Sequence, residues 1–385
     1  MTPSLPPLAI YVHIPWCVRK CPYCDFNSHA LNNGSLPEVA FLARLTEDIR
    51  QDAPLAQGRR AGSVFFGGGT PSLLSADAVS HIIHLLRNEV GLTSDAEITL
   101  EANPGTFEAD KFAGFRASGV NRLSLGVQSF HNEQLQRLGR IHSSEDAIRA
   151  IKTARNVGFE NFNIDLMHGL PKQTPEQALA DLDHAMDLQP THLSWYQLTI
   201  EQNTEFYRHP PTLPEDEQLW EIQQQGQQRL AERGFAQYEV SAFAQGEHYS
   251  QHNLNYWRYG DYLGIGPGAH GKNTTITNGV EITRSRKTRL PKDYLNNQRP
   301  LVRIEEPIAI KDRPFDYFVN TLRLRETVSL TQFERSTGLM IRDIEPVLAE
   351  AEKHGWLIRN GDLLSTTESG YLYLNEVLSL WLGDA

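Results

Sequence analysis

Residues 8–24 read LAIYVHIPWCVRKCPYC. Leu8–Ile14 is an apolar, β-branched run closed by Pro15, and it reads as a buried strand. Directly after it come Cys17, Cys21 and Cys24, spaced C-x3-C-x2-C, and these are the 3 cysteines of the 385-residue chain. Such clustering argues for one shared role, and a disulfide would leave one thiol over. Three thiolates on one short loop can hold three corners of a cubane iron–sulfur cluster, with Cys17, Cys21 and Cys24 as metal ligands and the fourth iron open to an exchangeable ligand. Structural zinc is the rival reading. It needs a fourth donor, which His13 or His29 is near enough in sequence to supply. Buried free cysteines are a third reading, opposed by Arg19 and Lys20 in the same loop, which favour thiolates.

Outward from this stretch, short β-rich runs alternate with helical patterns. Further strands are expected at Ser63–Gly68, Glu97–Asn103, Arg122–Ser129, Phe162–Gly169 and His192–Leu198. Between them, Val79, Ile82, Ile83, Leu86 and Val90 recur at helical spacing, with Ser75 as N-cap and Gly91 as stop. A second helical stripe carries Leu179, Leu182 and Met186. Six strand–helix units imply a parallel α/β sheet, either a partial barrel or a doubly wound open sheet. In both, chemistry belongs at the C-terminal strand ends. Cys17, Gly67–Gly69, Glu101 and Gln128 fall at such ends, and Asp165 lies in the fifth strand. The barrel is expected over 1–230, ending near the Pro-rich His209–Pro214. A mixed connecting region is expected over 231–305. Over 306–385, three helices and two strands around Asn360–Gly361 predict a winged-helix-like domain.

Hydrophobic content of 40% and charged content of 22% are ordinary for globular protein. The net charge of -11 disfavours nucleic acid as a partner. The tail from 306 carries 8 Lys and Arg against 13 Asp and Glu, so DNA binding by the winged-helix-like domain is also disfavoured. There is no apolar run of bilayer length, and the first residues lack the pattern of a secretory signal. A cytoplasmic location, where thiols stay reduced, is therefore expected.

The C-x3-C-x2-C loop after YVHIPWC resembles the radical SAM superfamily. The resemblance extends over most of the chain and is nearest to the coproporphyrinogen dehydrogenase-like branch, on the side of its heme chaperones. It favours the partial (β/α)6 barrel over the open sheet, followed by a C-terminal α+β region. It implies a 4Fe–4S cluster whose open iron is chelated by the amine and carboxylate of S-adenosyl-L-methionine (SAM). Reduction of the cluster can then cleave SAM to a 5′-deoxyadenosyl radical, a chemistry that belongs to the cofactors. By the same resemblance, Tyr11, Tyr23, Gly68, Gly69, Thr70, Glu101, Gln128, Arg140 and Asp165 form the SAM pocket, with Thr199 near a further contact. Glycines allow close backbone approach, and the helix after Gly67-Gly68-Gly69-Thr70-Pro71 can direct N–H groups at a carboxylate. Each position also has a blander reading: a tight turn at the glycines, a surface carboxylate at Glu101, a solvated helix charge at Arg140, a buried hydrogen-bonding group at Asp165.

Two departures separate carrier from enzyme. The branch's oxidative decarboxylases have a fourth cysteine two residues after the third, where this chain has Phe26. They also carry a long segment ahead of the first strand, where 10 residues precede Tyr11 here. Positively, His252-Asn-Leu-Asn-Tyr256-Trp257 matches the HNxxYW motif of the branch's heme chaperones. His252 can be an axial iron ligand, while Tyr256 and Trp257 can pack against a flat macrocycle. A packed, hydrogen-bonded histidine is the blander alternative, and His270 is a lesser candidate. The expectation is a heme chaperone that passes heme to a recipient protein and lacks coproporphyrinogen dehydrogenase activity. The alternatives are an oxygen-independent coproporphyrinogen III decarboxylase and a structural-cluster protein without radical chemistry. The recipient, covalent or non-covalent heme attachment, SAM cleavage and oligomeric state stay open.

Overall fold

Why the chain forms a barrel rather than a doubly wound sheet is visible in its strand order. The computed structural model describes residues 4–31, 34–105 and 111–382. Strands β1 (Leu8–Ile14), β2 (Ala61–Gly68), β3 (Leu92–Ala102), β4 (Arg122–Gln128), β5 (Phe162–His168) and β6 (His192–Gln197) are neighbours in sequence order, all parallel. A doubly wound sheet would reverse that order at a switch point. Here every crossover steps the same way, which curls the sheet into an arc. The arc does not close. The far edge of β6 pairs antiparallel with a short hairpin, β7 (Ala236–Glu239) and β8 (Ala242–Ala244). The free edge of β1 takes β9 (Asp261–Ile265) in parallel. Three antiparallel strands continue from there: β10 (His270–Ile276), β11 (Val280–Lys287) and β12 (Val302–Pro307). The result is a partial (β/α)6 barrel within a 12-stranded sheet.

Helices α1 (Glu38–Asp52), α2 (Ala76–Glu89), α3 (Phe112–Ala117), α4 (Ser144–Asn156), α5 (Pro175–Asp187) and α6 (Asp216–Glu232) lie between or after these strands. Ser75 caps α2 by accepting from the Ala78 amide at 3.1 Å, and Gly91 at φ +90 follows its end. Val79, Ile82, Ile83 and Leu86 are buried on the face this spacing predicts. Strand β3 begins earlier than expected, at Leu92, because Gly91 lets the chain turn directly into pairing with Ala61. The polar Thr93-Ser94-Asp95 that masked this start is only partly buried or exposed.

Helix α7 (Gln251–Trp257) carries the HNxxYW segment and packs on β2. The C-terminal region has helices α8 (Arg313–Thr321), α9 (Leu330–Thr337) and α10 (Glu345–Lys353). A small antiparallel sheet accompanies them, with β13 (Val328–Ser329) beside β15 (Leu363–Thr366) and β14 (Leu357–Asn360) at the other edge. Its core of Tyr317, Phe318, Phe333, Leu348, Leu357 and Leu364 is separate from the barrel's. Among the described residues no helix is long and apolar enough to cross a membrane.

Gly226, inside α6, shows packing overriding helix propensity. A Cβ there would lie 1.9 Å from the Trp195 ring of β6. Alanine favours a helix interior over glycine by about 1 kcal/mol, but overpacking a buried contact costs about 1–3 kcal/mol. Gly226→Ala is therefore expected to lower the melting temperature. A variant that melts at or above wild type would show that the ring can move aside.

Candidate cluster and cofactor site

The cysteine loop is pinned to the glycine turn by backbone hydrogen bonds. The Gly69 amide donates to Ile14 O at 2.7 Å, and the Thr70 amide donates to Trp16 O at 2.8 Å. A Cβ on Gly69 would sit 2.5 Å from Trp16 O, and Gly68 holds φ +116. Both glycines are therefore required by close approach and left-handed backbone, whatever the turn binds. The three thiols are free and half-buried. Cys24 closes a turn on Cys21 O at 3.1 Å, and its Sγ lies 3.4 Å from Ser28 Oγ. Burial pushes the Cys17 thiol up, with Thr70 opposing.

The donor set fits a cluster better than zinc. A single zinc draws all its thiolates to about 2.3 Å from one centre. Among the described residues, no three His, Cys, Asp or Glu side chains converge to hold one metal ion. In a cubane each thiolate holds a different iron, so such convergence is not needed. The two histidines that could complete a zinc site are also engaged. His13 bonds Tyr11 Oη at 3.0 Å and Asn27 O at 2.9 Å, and His29 bonds Asn27 Oδ1 at 3.2 Å.

Arg140 joins the loop to the strand ends. Its Nη2 donates to Asn103 Oδ1 and to Gly126 O, both at 2.6 Å, while Nη1 lies 3.7 Å from Cys21 Sγ. Asn103 in turn donates to Thr70 Oγ1 at 3.0 Å. Among the described residues Arg140 Nε has no hydrogen-bond partner. Opposite, Glu101 accepts from the Gly68 amide at 3.1 Å. Desolvation, and then the nearby Asp165, push the Glu101 carboxyl up to about 8. Asp165 accepts from Ser124 Oγ at 2.9 Å, Asn163 Nδ2 at 2.8 Å and Tyr196 Oη at 3.0 Å, and burial raises it too. Gln128 stands at φ +72 beside Arg140 at the mouth.

These groups surround a cavity of about 1310 Å³. Its wall brings together the three cysteines with Tyr23, Gly68, Gly69, Thr70, Glu101, Gln128, Arg140 and Asp165, and also includes Thr199. Tyr11, His252, Tyr256 and Trp257 lie instead on a second chamber of about 680 Å³ in the barrel lumen. Gly68, Glu101 and Asp165 border both spaces, so the two adjoin. His252 is packed rather than open. Its Nδ1 lies 3.0 Å from Ser63 Oγ and its Nε2 lies 2.9 Å from Tyr256 Oη. Burial, and then the charge of Arg122, hold its pKa at about 3. Trp257 stacks under Arg323, whose guanidinium carbon is 4.4 Å from the ring. His270 also borders the chamber and is exposed.

Sequence reading missed Asn103, Ser63, Glu97 and Arg122. Glu97 accepts from the amides of Gln251 and His252 at 3.2 and 3.1 Å, holding the start of α7. The available signal was period-two polarity: Arg122-x-Ser124 and Asn163-x-Asp165 put polar groups on the inward face of strands otherwise fit for a core.

The order of the parallel strands, the three-thiol loop beyond β1 and the glycine turn beside it define a radical SAM protein. The Radical SAM superfamily model matches residues 11–185, and the HemN C-terminal domain model matches 309–373. Heme chaperone HemW of Escherichia coli is 50% identical over 381 residues, covering 99% of this chain and 100% of that protein. Heme chaperone HemW of Haemophilus influenzae is 48% identical over 386 residues, again 99% and 100%. By structure, coproporphyrinogen III oxidase (HemN) of Escherichia coli superposes with a TM-score of 0.82 at 26% identity, covering 98% of this chain and 90% of that one. The chain belongs to the HemW family. Membership of the radical SAM superfamily implies a 4Fe–4S cluster and SAM.

A carboxyl raised in the fold binds its proton more tightly there than in the unfolded chain, so its contribution to stability is lost as pH rises. For Glu101 the window runs from the ordinary 4.5 to about 8. In ligand-free protein, the stability of Glu101→Gln relative to wild type should rise with pH across that window. Paired thermal melts at pH 5 and pH 8 read this directly, and a pH-independent difference would place the carboxyl's pKa near its ordinary value.

Proposed function

We propose that this chain binds heme and passes it to a recipient protein, with a 4Fe–4S cluster on Cys17, Cys21 and Cys24 and exchangeable SAM beside it. The observation that carries the reading is the HNxxYW segment of α7 on the lumen chamber, in a chain 50% identical along its length to a heme chaperone. Phe26, 63% exposed at the rim of both cavities, supports it from the other side. It stands where the decarboxylases of the branch have a thiol, and a phenyl ring offers iron no donor.

In this proposal each residue has a limited task. The three thiolates hold the cluster, which when bound supplies an iron open to the amine and carboxylate of SAM. Arg140 puts positive charge beside Cys21 Sγ, at 3.7 Å. Tyr23, Gly68, Gly69, Thr70, Glu101, Gln128 and Asp165 contact SAM, and Tyr11 supports the turn from beneath Gly67. His252 is uncharged at physiological pH, so its ring keeps a lone pair for iron. Ligation through Nε2 requires that Tyr256 Oη let go, and Tyr256 and Trp257 then face the macrocycle. The recipient is a protein of the same compartment, which we take to be the cytoplasm, and no nucleic acid is involved. A recipient at a membrane surface fits equally well.

Heme titration of wild type and His252→Ala, followed by optical spectra, tests the ligand. At least a tenfold loss of affinity and a changed spectrum are expected, the scale of one strong polar contact. Unchanged binding would remove His252. The decarboxylase alternative is tested in the same preparation, reconstituted anaerobically with SAM, reductant and coproporphyrinogen III. No harderoporphyrinogen or protoporphyrinogen is expected, and a clear yield would reverse the ranking.

A further inference from the structure

Among the described residues, the lumen chamber holds one cation without a hydrogen bond. Arg122 opens β4 on the inward face and is 2% exposed. Among the described residues its guanidinium makes no hydrogen bond. Its Nε is sealed from solvent without a partner, and its nearest acidic atom, Glu97 Oε2, is 3.9 Å away. Glu97 is already occupied by the two backbone amides at the start of α7. The other Lys and Arg of the chamber wall are satisfied. Lys272 donates to Asp261 Oδ1 at 2.9 Å, and Arg284 donates to Asp316 Oδ1 at 2.7 Å and Tyr262 Oη at 2.6 Å.

A guanidinium has five N–H donors in a planar fork, and a buried one held by a long ion pair to Glu97 with no hydrogen bond leaves donors costly to bury. Repacking would normally remove it. Here the neighbours cannot turn to meet it, because they are bound to one another. His192 lies between Asn163 Oδ1 at 2.6 Å and Tyr238 Oη at 2.7 Å. Asn163 donates to Ser124 Oγ and Asp165 Oδ1, each at 2.8 Å. The floor of the chamber is therefore a closed polar network with one open cation. Tyr11, Phe65, Tyr256 and Tyr262 supply an aromatic part of the wall, and the carboxylates that line it, Glu101 and Asp165, already accept hydrogen bonds within the protein. A fork-shaped cation at the base of an aromatic chamber suits a flat ligand that carries a carboxylate.

We propose that Arg122 is the carboxylate anchor of the lumen chamber and that it pairs with a propionate of heme. The assignment rests on the reading of heme as cargo and adds to it the depth and orientation of the bound macrocycle. His252 and Arg122 share the chamber, and Glu97 lies between Arg122 and the backbone of His252. A ligand held at both therefore enters with its carboxylate edge toward the start of β4.

The test uses the full chain, reconstituted with its cluster, and two probes: heme, and heme dimethyl ester, in which both propionates are capped. Wild type should bind heme about tenfold or more tightly than the ester, the scale of one charge-assisted pair. Arg122→Gln should lose that preference, weakening heme while leaving the ester within about twofold. The wild-type comparison stands by itself if Arg122→Gln does not fold. Equal binding of heme and ester by wild type, or a preference that survives in the folded variant, overturns Arg122 as anchor while leaving heme binding intact. Failure of wild type to bind either probe overturns the carrier reading and this assignment with it.

Discussion

The contact on which the site depends is the half-buried guanidinium of Arg140. Its charge lies beside the Cys21 thiol, and its Nη2 holds both the end of β4, through Gly126 O, and the residue after β3, through Asn103. A partly desolvated charge is best tolerated where it is hydrogen-bonded and faces compensating negative charge. Asn103 and Gly126 satisfy the hydrogen bonds. Thiolates on an iron cluster would supply the negative charge. The same residue therefore ties the cysteine loop to the barrel and sets its positive charge beside the sulfur ligands.

The two spaces of the barrel obey different physics. The cavity beside the cysteines is bordered by strand ends, turns and backbone amides, where glycines permit close approach. The lumen below it is walled by inward side chains of six strands, and polar groups there must satisfy one another because water is scarce. Glu101 and Asp165 stand at the boundary, where desolvation raises both and Asp165 adds to the rise of Glu101. His252 belongs to the lower space, held neutral by burial and gripped by Ser63 and Tyr256. Its motif marks an element whose imidazole must exchange a hydrogen bond before it can serve a metal.

Much of this was legible along the chain. Strand runs, the α2 stripe and its Ser75 cap follow from local pattern, since burial period and capping chemistry act over a few residues. The start of β3 was missed because its first residues are polar, and pairing with Ala61 recruits them regardless. Glu101 and Gln128 were legible from their strand-end positions and Asp165 from its place in the fifth strand, whereas Tyr23 and Arg140 were named through the family resemblance; all five line one cavity. Tyr11 lies instead on the lumen wall, because its place within β1, before the strand end, turns it inward below the turn.

The sequence by itself determined the cysteine loop, the alternation of strands and helices, and the absence of a thiol at Phe26, because these depend on residue type and short spacing. Tertiary structure alone decided that the arc stays open, with β9 taking the edge of β1, since an edge pairs with whatever strand the chain returns to it. It also decided that His252 faces Ser63 and Tyr256, and that Arg122 finds no hydrogen bond among the described residues. Those outcomes depend on which side chains meet across a lumen built from six distant segments, and no local pattern encodes that meeting.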